Sequence, residues 1–448
     1  MPILTTTSKI REFLKNHVLA HLDSWVEQAA QGDLLGFEQS VNEQLRQVHN
    51  EICEQVLPRA AEQSRDGLKR QAKAQGCSKI VSRPLQLRLA TGHFVTVQSP
   101  YAKQAPAGFK TDRRLLASHW KLIGRSSPLL YDRVGFCAAV SPSFESGFQL
   151  LKKFNVDICL SSVQKLTLQL AHKCHDVGEA CLSLRSEETV AGKTVVISMD
   201  GGRTRTRQNL TYRNGRGNLR YDTPWREPKL FVIDVIDSEG RVDREQLPIY
   251  GTRFDQGDAF DLLKQYLGRL NIDQAEHVQL IGDGAAWIWN NLKDILLEMG
   301  VGQDRITETL DIWHASEYVH KLVDNMGSRK SEPEKRKLKK QFSSLLWQGK
   351  CDEIVAQCKS IYRRKTEVVR RCINYLEKHL HRSQYADYKY RRLMCGSGIV
   401  ESAIRRVINL RFKNAATFWY AENVEKMYFL RASVLSGRWN TVIQNLQI

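Results

Sequence analysis

The sequence has no apolar run approaching the roughly 18 residues that a membrane-spanning helix requires, so no membrane partner is expected. Its opening residues, Met1 to Ile10, carry no apolar segment suited to a secretory signal. None of its 10 cysteines stands in a Cys-x-x-Cys pair, and a chain of 448 residues does not need a disulfide framework to fold. Proline (11) and glycine (28) are sparse beside a hydrophobic content of 42%, which excludes a disordered or fibrous chain. These absences predict a globular protein of a reducing compartment, with length enough for about three domains.

Positive charge is what the chain has in excess. Lys and Arg number 67 against 49 Asp and Glu, a formal charge of +18. That favours a polyanionic partner such as nucleic acid, although a solvated basic surface would carry the same arithmetic. His172, Cys174, His175 and Cys181 lie close together, as a metal cluster would require. Their stretch reads as helix and lacks a second ligand pair, so a structural helix is the better reading.

Periodicity divides the chain. Residues 1–81 read as helical, with Phe13, Leu14, Val18, Leu19 and Leu22, then Leu34, Leu35, Phe37, Val41, Leu45 and Val48, at helical spacing. Residues 82–143 form a small β-containing segment: Leu85, Leu87 and Leu89, then Phe94, Val95 and Val97, flank a turn at Thr91-Gly92. In residues 144–190, Phe144 to Phe154 predicts one helix, Asn155 to Ile158 breaks it, and Ser161 or Ser162 would cap a second. Two short helices around a tight break fit a helix-turn-helix that reads DNA, or a plain helical hairpin.

Residues 191–311 are β-rich. Thr194 to Asp200 and His277 to Asp283 are apolar, β-branched runs that each end in an acid; Leu230 to Ile236 is another strand, and one more is predicted near Leu247 to Tyr250. Helices are predicted around Ala259 to Leu270 and Ala285 to Met299. The fold class predicted is therefore α/β, a mixed sheet flanked by helices. Residues 312–393 read as a polar helical insertion whose most charged run, Arg329 to Lys340, is either a solvated connector or a phosphate-tracking surface. A helix then opens after Gly396-Ser397-Gly398 and carries Glu401 in its first turn; residues 394–439 rejoin the β-rich region.

Asp200 and Asp283 share a context: a buried strand running out into an acid, then Gly201-Gly202 or Gly284. Strand ends are where α/β sheets place their sites, and small neighbours let a ligand approach. With Glu401 folded over the same edge, three carboxylates would suit Mg²⁺, with Mn²⁺ as a substitute. Two such cations would support a phosphoryl transfer. Singly, each acid also fits an ordinary turn or a helix-dipole partner. Arg203, Arg205 and Arg207 alternate after Asp200, and Arg213, Arg216, Arg220 and Arg226 continue the series. They would hold phosphates through planar, permanently charged forks, or simply solvate a basic hairpin. Arg391, Arg392, Arg405, Arg406, Arg411 and Lys413 surround Glu401; Arg405, one turn on, would reach DNA or pair with Glu401. Trp287, Trp289 and Trp419 would pack in the core or stack on an unpaired base.

The segments SMDGGRTRTR (199–208), IGDGAAWIWN (281–290), LDIWHASEYVHKL (310–322), GSGIVESAIRRVINLRFKNAATFW (396–419) and LRASVLSGRW (430–439) resemble the DDE-type transposases of the ISKra-type bacterial insertion sequences. The resemblance runs from about Phe144 to Trp439. It implies an RNase H-like catalytic domain in which Asp200, Asp283 and Glu401 bind two Mg²⁺ ions, with Asp311 and His314 in support. It further implies cleavage and joining of DNA strands at terminal inverted repeats and target DNA, by a homo-oligomer in the bacterial cytoplasm at the nucleoid. Arg203, Arg205, Arg207, Arg213, Arg216, Arg405, Arg406 and Lys413 become the expected DNA contacts. The chain departs from the family in its N-terminal half, where relatives often carry Cys-x-x-Cys pairs and this sequence keeps only Cys77 and Cys137, far apart. A non-catalytic DNA-binding repressor, a domesticated remnant, and a nuclease that cuts without joining stay open as alternatives.

Overall fold

The computed structural model describes residues 2–109, 112–213, 215–326, 330–362, 366–413 and 417–448, with side chains from Ser8 onward. Arg329, at the head of the charged run, lies outside the described residues, as do residues 414–416 of the segment 396–419. The chain divides into two compact units, one of residues 1–173 with Gln447, the other of residues 174–446 with Ile448.

In the first unit, helices Pro2–His17 and Leu22–Ala30 lead to a long helix, Leu34–Ala74, opened by Asp33, whose carboxylate accepts from the Gly36 N–H. Two antiparallel strands follow, β1 (Lys79–Arg88) and β2 (Phe94–Gln104). Their alternation buries Leu85, Leu87, Val95 and Val97 against Ala61, Leu68 and Ala72 of the long helix. Each such buried aliphatic side chain contributes about 1.5–3 kcal/mol. Gly92 turns the hairpin at φ +89°, where a Cβ would sit 1.9 Å from the Asp157 carbonyl oxygen. Helix Phe144–Lys153 ends before Asn155, which is left-handed at φ +55°. The next helix, Leu160–Val177, starts earlier than the serine-cap expectation. The Cys159 carbonyl already accepts from Ser162 and Val163, which places Ser161 and Ser162 inside the first turn.

The second unit is built on a five-stranded mixed sheet. After β3 (Thr194–Gly201), the chain makes a ribbon of short strands: β4 (Thr204–Arg205) with β7 (Trp225–Arg226), and β5 (Gln208–Arg213) with β6 (Leu219–Asp222). It re-enters the sheet as β8 (Lys229–Ile236) and β9 (Ile249–Arg253), then adds β10 (His277–Gly282) and β11 (Ile306–Leu310). The order is β11-β10-β3-β8-β9, with β11, β10 and β3 mutually parallel and β8 and β9 antiparallel.

Both faces of this sheet are covered, which is why β3 and β10 are mainly apolar, with Ser198 and Gln279 as buried polar exceptions. Val195, Ile197 and Met199 face a core made with helix Gln256–Arg269 and helix Leu292–Glu298. The intervening Val196 faces a second core, with Ile281, Leu310 and the helices between Ile312 and Tyr390. The fold is thus α/β: a mixed sheet between two helical layers. Among the described residues no helix is long and apolar enough to cross a membrane.

Candidate active site

Three parallel neighbours, β3, β10 and β11, run out at the same sheet edge, and each ends in an aspartate. Asp200 is the penultimate residue of β3, and Asp283 and Asp311 immediately follow β10 and β11. Parallel strands in register leave no alternative: their C-terminal ends share one edge. The first two positions are those expected from the sequence. Backbone donors orient all three carboxylates: Gly201 N–H to Asp200 at 2.6 Å, Ala285 N–H to Asp283 at 2.9 Å, and Trp313 N–H to Asp311 at 2.8 Å. Close packing fixes the turns as well. A Cβ on Gly284 would sit 2.0 Å from the Tyr375 ring, and one on Gly202 would sit 2.6 Å from Ile408.

Glu401 comes from much later in the chain and is carried to this edge by a staple of hydrogen bonds. Gln279, buried in β10, donates to the Met394 carbonyl at 2.7 Å and accepts from the Met394 N–H at 3.0 Å. The Ile312 N–H donates to the Cys395 carbonyl at 3.0 Å, and the Ser397 hydroxyl donates to the Asp311 carboxylate. Gly396 leaves room for Trp313, whose ring would lie 3.1 Å from an added Cβ. Helix Gly398–Ala403 therefore packs on β3 and β8, with Glu401 exposed in its first turn. It continues into a π-helical segment, Ile404–Asn409, a rare geometry that recurs at functional sites.

The acids and one histidine lie close enough to feel one another. Asp311, His314 and Glu401 each offer a ligand atom, all within 4.8 Å of one another. The Asp200 carboxyl is pushed up to about 6, chiefly by burial; the Gly201 N–H and His314 oppose this, while Asp283 and Glu401 add to it. A hydrogen bond to Asp311, 3.1 Å away, raises the His314 imidazole to about 9, against burial and with further support from Asp283. Burial would raise Asp311, yet donors from His314, Ser397 and Trp313 outweigh it and hold that carboxyl below its ordinary range. The result is a knot of oxygen donors with one imidazolium at its side. Hard oxygen donors under mutual repulsion suit a divalent cation such as Mg²⁺.

The basic residues divide by environment. Arg203, Arg213, Arg216, Arg405 and Lys413 are exposed; Arg205, Arg207 and Arg406 are half-buried. Arg406 donates to the Tyr250 hydroxyl at 2.9 Å. Among the described residues no ion pair joins Arg405 to Glu401. Three arginines near Glu401 in sequence serve the fold instead. Arg391 pairs with Asp387 and Arg392 with Glu239, while Arg411 is fully buried, where desolvation pushes it down to about 9. Trp289 is buried and Trp287 packs on Phe260, so both belong to the core. His172, Cys174, His175 and Cys181 form no metal-holding group among the described residues. Sequence reasoning missed Gln279 and Ser397; a lone amide in the buried run Val278-Gln279-Leu280 was the available signal for the first.

No family model matches the chain, and no curated protein matches it. Among solved structures, the Drosophila P element transposase strand transfer complex aligns with 72% of this chain and 81% of its own, at 12% identity and a TM-score of 0.27. A likeness that low bears on neither fold nor chemistry.

Proposed function

We propose that the chain is a DDE-type DNA transposase. Its sheet would be an RNase H-like catalytic core, and Asp200, Asp283 and Glu401 its metal-binding acids. The observation that supports this best is the convergence of acids from three distant segments on one sheet edge. Those segments are the ones whose sequences resemble the ISKra-type transposases. Asp311 and His314 stand beside them as positioning residues: the imidazolium offsets part of the negative charge, and Asp311 is tied through Ser397 to the loop that delivers Glu401.

One or two divalent cations, Mg²⁺ or Mn²⁺, would be held by Asp200, Asp283 and Glu401, beside the Asp311, His314 and Glu401 group whose ligand atoms lie within 4.8 Å of one another. When bound, such cations supply positive charge against the non-bridging phosphate oxygens and the leaving oxygen. The residues do the rest. The carboxylates fix the edge of the site, and Arg203, Arg205, Arg207, Arg213, Arg216, Arg405, Arg406 and Lys413 offset the DNA backbone charge that those carboxylates would repel. In the first displacement a water oxygen bonds to phosphorus and gives a proton to solvent, the P–O3′ bond breaks, and the departing 3′-oxygen takes up a proton from solvent to become a 3′-hydroxyl. In the second, that 3′-hydroxyl gives its proton to solvent as its oxygen bonds to a target phosphorus, and the target's own 3′-oxygen departs and takes up a proton. Positioning and charge stabilisation carry both steps. Paired transposon ends would be held by a homo-oligomer.

The test is a cleavage and joining assay on duplexes bearing the element's terminal repeats, with Mg²⁺ or with EDTA. Metal-dependent nicks and strand-transfer products are expected. Nicks without joining would assign a nuclease. Binding without nicking would assign a repressor.

A further inference from the structure

The β4–β7 ribbon between β3 and β8 is charged and aromatic beyond what the sheet needs. Residues 203–226 hold seven arginines (203, 205, 207, 213, 216, 220 and 226) and one acid, Asp222. At its base the ribbon is a proper part of the fold: Thr204 and Thr206 are buried, while Arg203 is exposed and Arg205 and Arg207 are half-buried. Beyond that base, every residue of β5 and β6 is exposed except the half-buried Leu210. A two-stranded ribbon exposed in this way has little to stabilise it by itself. It nonetheless displays three large rings to solvent: Tyr212 at 53%, Tyr221 at 46% and Trp225 at 52% exposure.

Each of the three rings has a guanidinium beside it, and two of those guanidiniums are shared with a second ring, Arg205 with Phe418 at 5.8 Å and Arg207 with Tyr420 at 5.6 Å. The Arg207 guanidinium lies 4.3 Å from the centre of the Tyr221 ring, Arg205 lies 5.1 Å from that of Trp225, and Arg220 lies 5.8 Å from that of Tyr212. Each pair offers a flat face and a permanent positive charge within one nucleotide's reach.

We propose that this ribbon binds an unpaired polynucleotide strand, stacking its bases on Tyr212, Tyr221 and Trp225 and holding its phosphates with the arginines. A paired duplex keeps its base faces inside the stack and would use only the charges. An acidic protein surface would likewise leave the rings unused. An unpaired strand satisfies both features, because its flexible backbone lets each base turn onto a ring. The ribbon leaves the sheet at Gly202, two residues after Asp200, so a strand lying along it leads to the acidic edge. The purpose of the strand rests on the transposase reading; the binding itself does not.

The experiment is fluorescence anisotropy of the full chain in EDTA, with a blunt duplex and the same duplex carrying a single-stranded extension. The wild type is expected to bind the extended duplex about tenfold more tightly. The triple variant Tyr212→Ala, Tyr221→Ala, Trp225→Ala is expected to lose that preference and keep its affinity for the blunt duplex, with circular dichroism verifying the fold. A 2-aminopurine in the extension is expected to be quenched on binding to the wild type, which keeps the test decisive if the variant does not fold. Equal affinity of the wild type for the two duplexes, a preference that survives in a folded variant, or displacement of the extension by a poly-glutamate peptide would overturn the proposal. Because no metal is present, a chain that cleaves nothing would still pass or fail here on binding alone.

Discussion

Gln279 and Met394 bind one another at both ends: the amide of Gln279 donates to the Met394 carbonyl at 2.7 Å and accepts from its N–H at 3.0 Å. One side chain of a buried strand thereby holds the loop that leads to Glu401. Gln279→Leu keeps the volume and leaves both backbone groups of Met394 without a partner. Each unsatisfied buried group costs about 1–3 kcal/mol. We expect a lower unfolding temperature together with a weaker stabilisation by Mn²⁺ in thermal melts. An unchanged melting curve would release Gln279 from this role.

Asp200 should be a site of stored instability. Its folded carboxyl titrates at about 6, above the ordinary 3.8, chiefly because burial disfavours the charge. A raised acid costs stability once ionised, so the penalty is complete above pH 6 and vanishes as the pH falls below about 4. Asp200→Asn should therefore stabilise the metal-free protein at pH 7 by on the order of 1–2 kcal/mol. The gain should fade between pH 6 and 4 in urea titrations, and a variant no more stable than the wild type at pH 7 would contradict this.

The His314 imidazolium works in the opposite sense. Its folded value of about 9 lies above the ordinary 6.5, mainly through the hydrogen bond with Asp311. The contribution is complete below pH 6.5 and is lost as pH rises through 9. With the side chain 34% exposed, solvent screening leaves on the order of 1 kcal/mol. In EDTA, the stability gap between wild type and His314→Ala should be widest near pH 6 and close by pH 10. A gap independent of pH would remove the ion pair from the account.

Gly284 is required by space. Its Cβ would overlap the Tyr375 ring at 2.0 Å, so Gly284→Ala should cost about 1–3 kcal/mol and displace Asp283 beside it. Adding Tyr375→Leu should recover part of that loss. Failure of the double variant to gain anything over the single one would point to backbone strain instead.

Legibility followed burial. β3 and β10 could be read from sequence because strands covered on both faces are written mainly in apolar residues up to the Asp at their end. β11 could not: Ile306-Thr307-Glu308-Thr309-Leu310 is short and lies at the sheet margin, and its three polar residues in a row imitate a loop. Asp311 was visible as a helix-linked acid, but its place on the third parallel strand was not. The helix predicted from Ala285 to Met299 is two, Ala286–Trp289 and Leu292–Glu298, divided at Asn290-Asn291. Arg411 resembled a surface base and proves fully buried, a tertiary outcome that no local pattern announces. The path of Glu401 to the sheet edge depends on Gln279, Ile312 and Ser397, contacts far apart in sequence.

We propose that Asp200, Asp283 and Glu401 together hold a divalent cation. Titration calorimetry of the full chain with Mn²⁺ at pH 7.5 tests it without reference to DNA. The wild type should bind, and Asp200→Asn, Asp283→Asn and Glu401→Gln should each weaken binding by about tenfold or more. Binding that survives all three substitutions unchanged, or a wild type that takes up no Mn²⁺, would contradict the account.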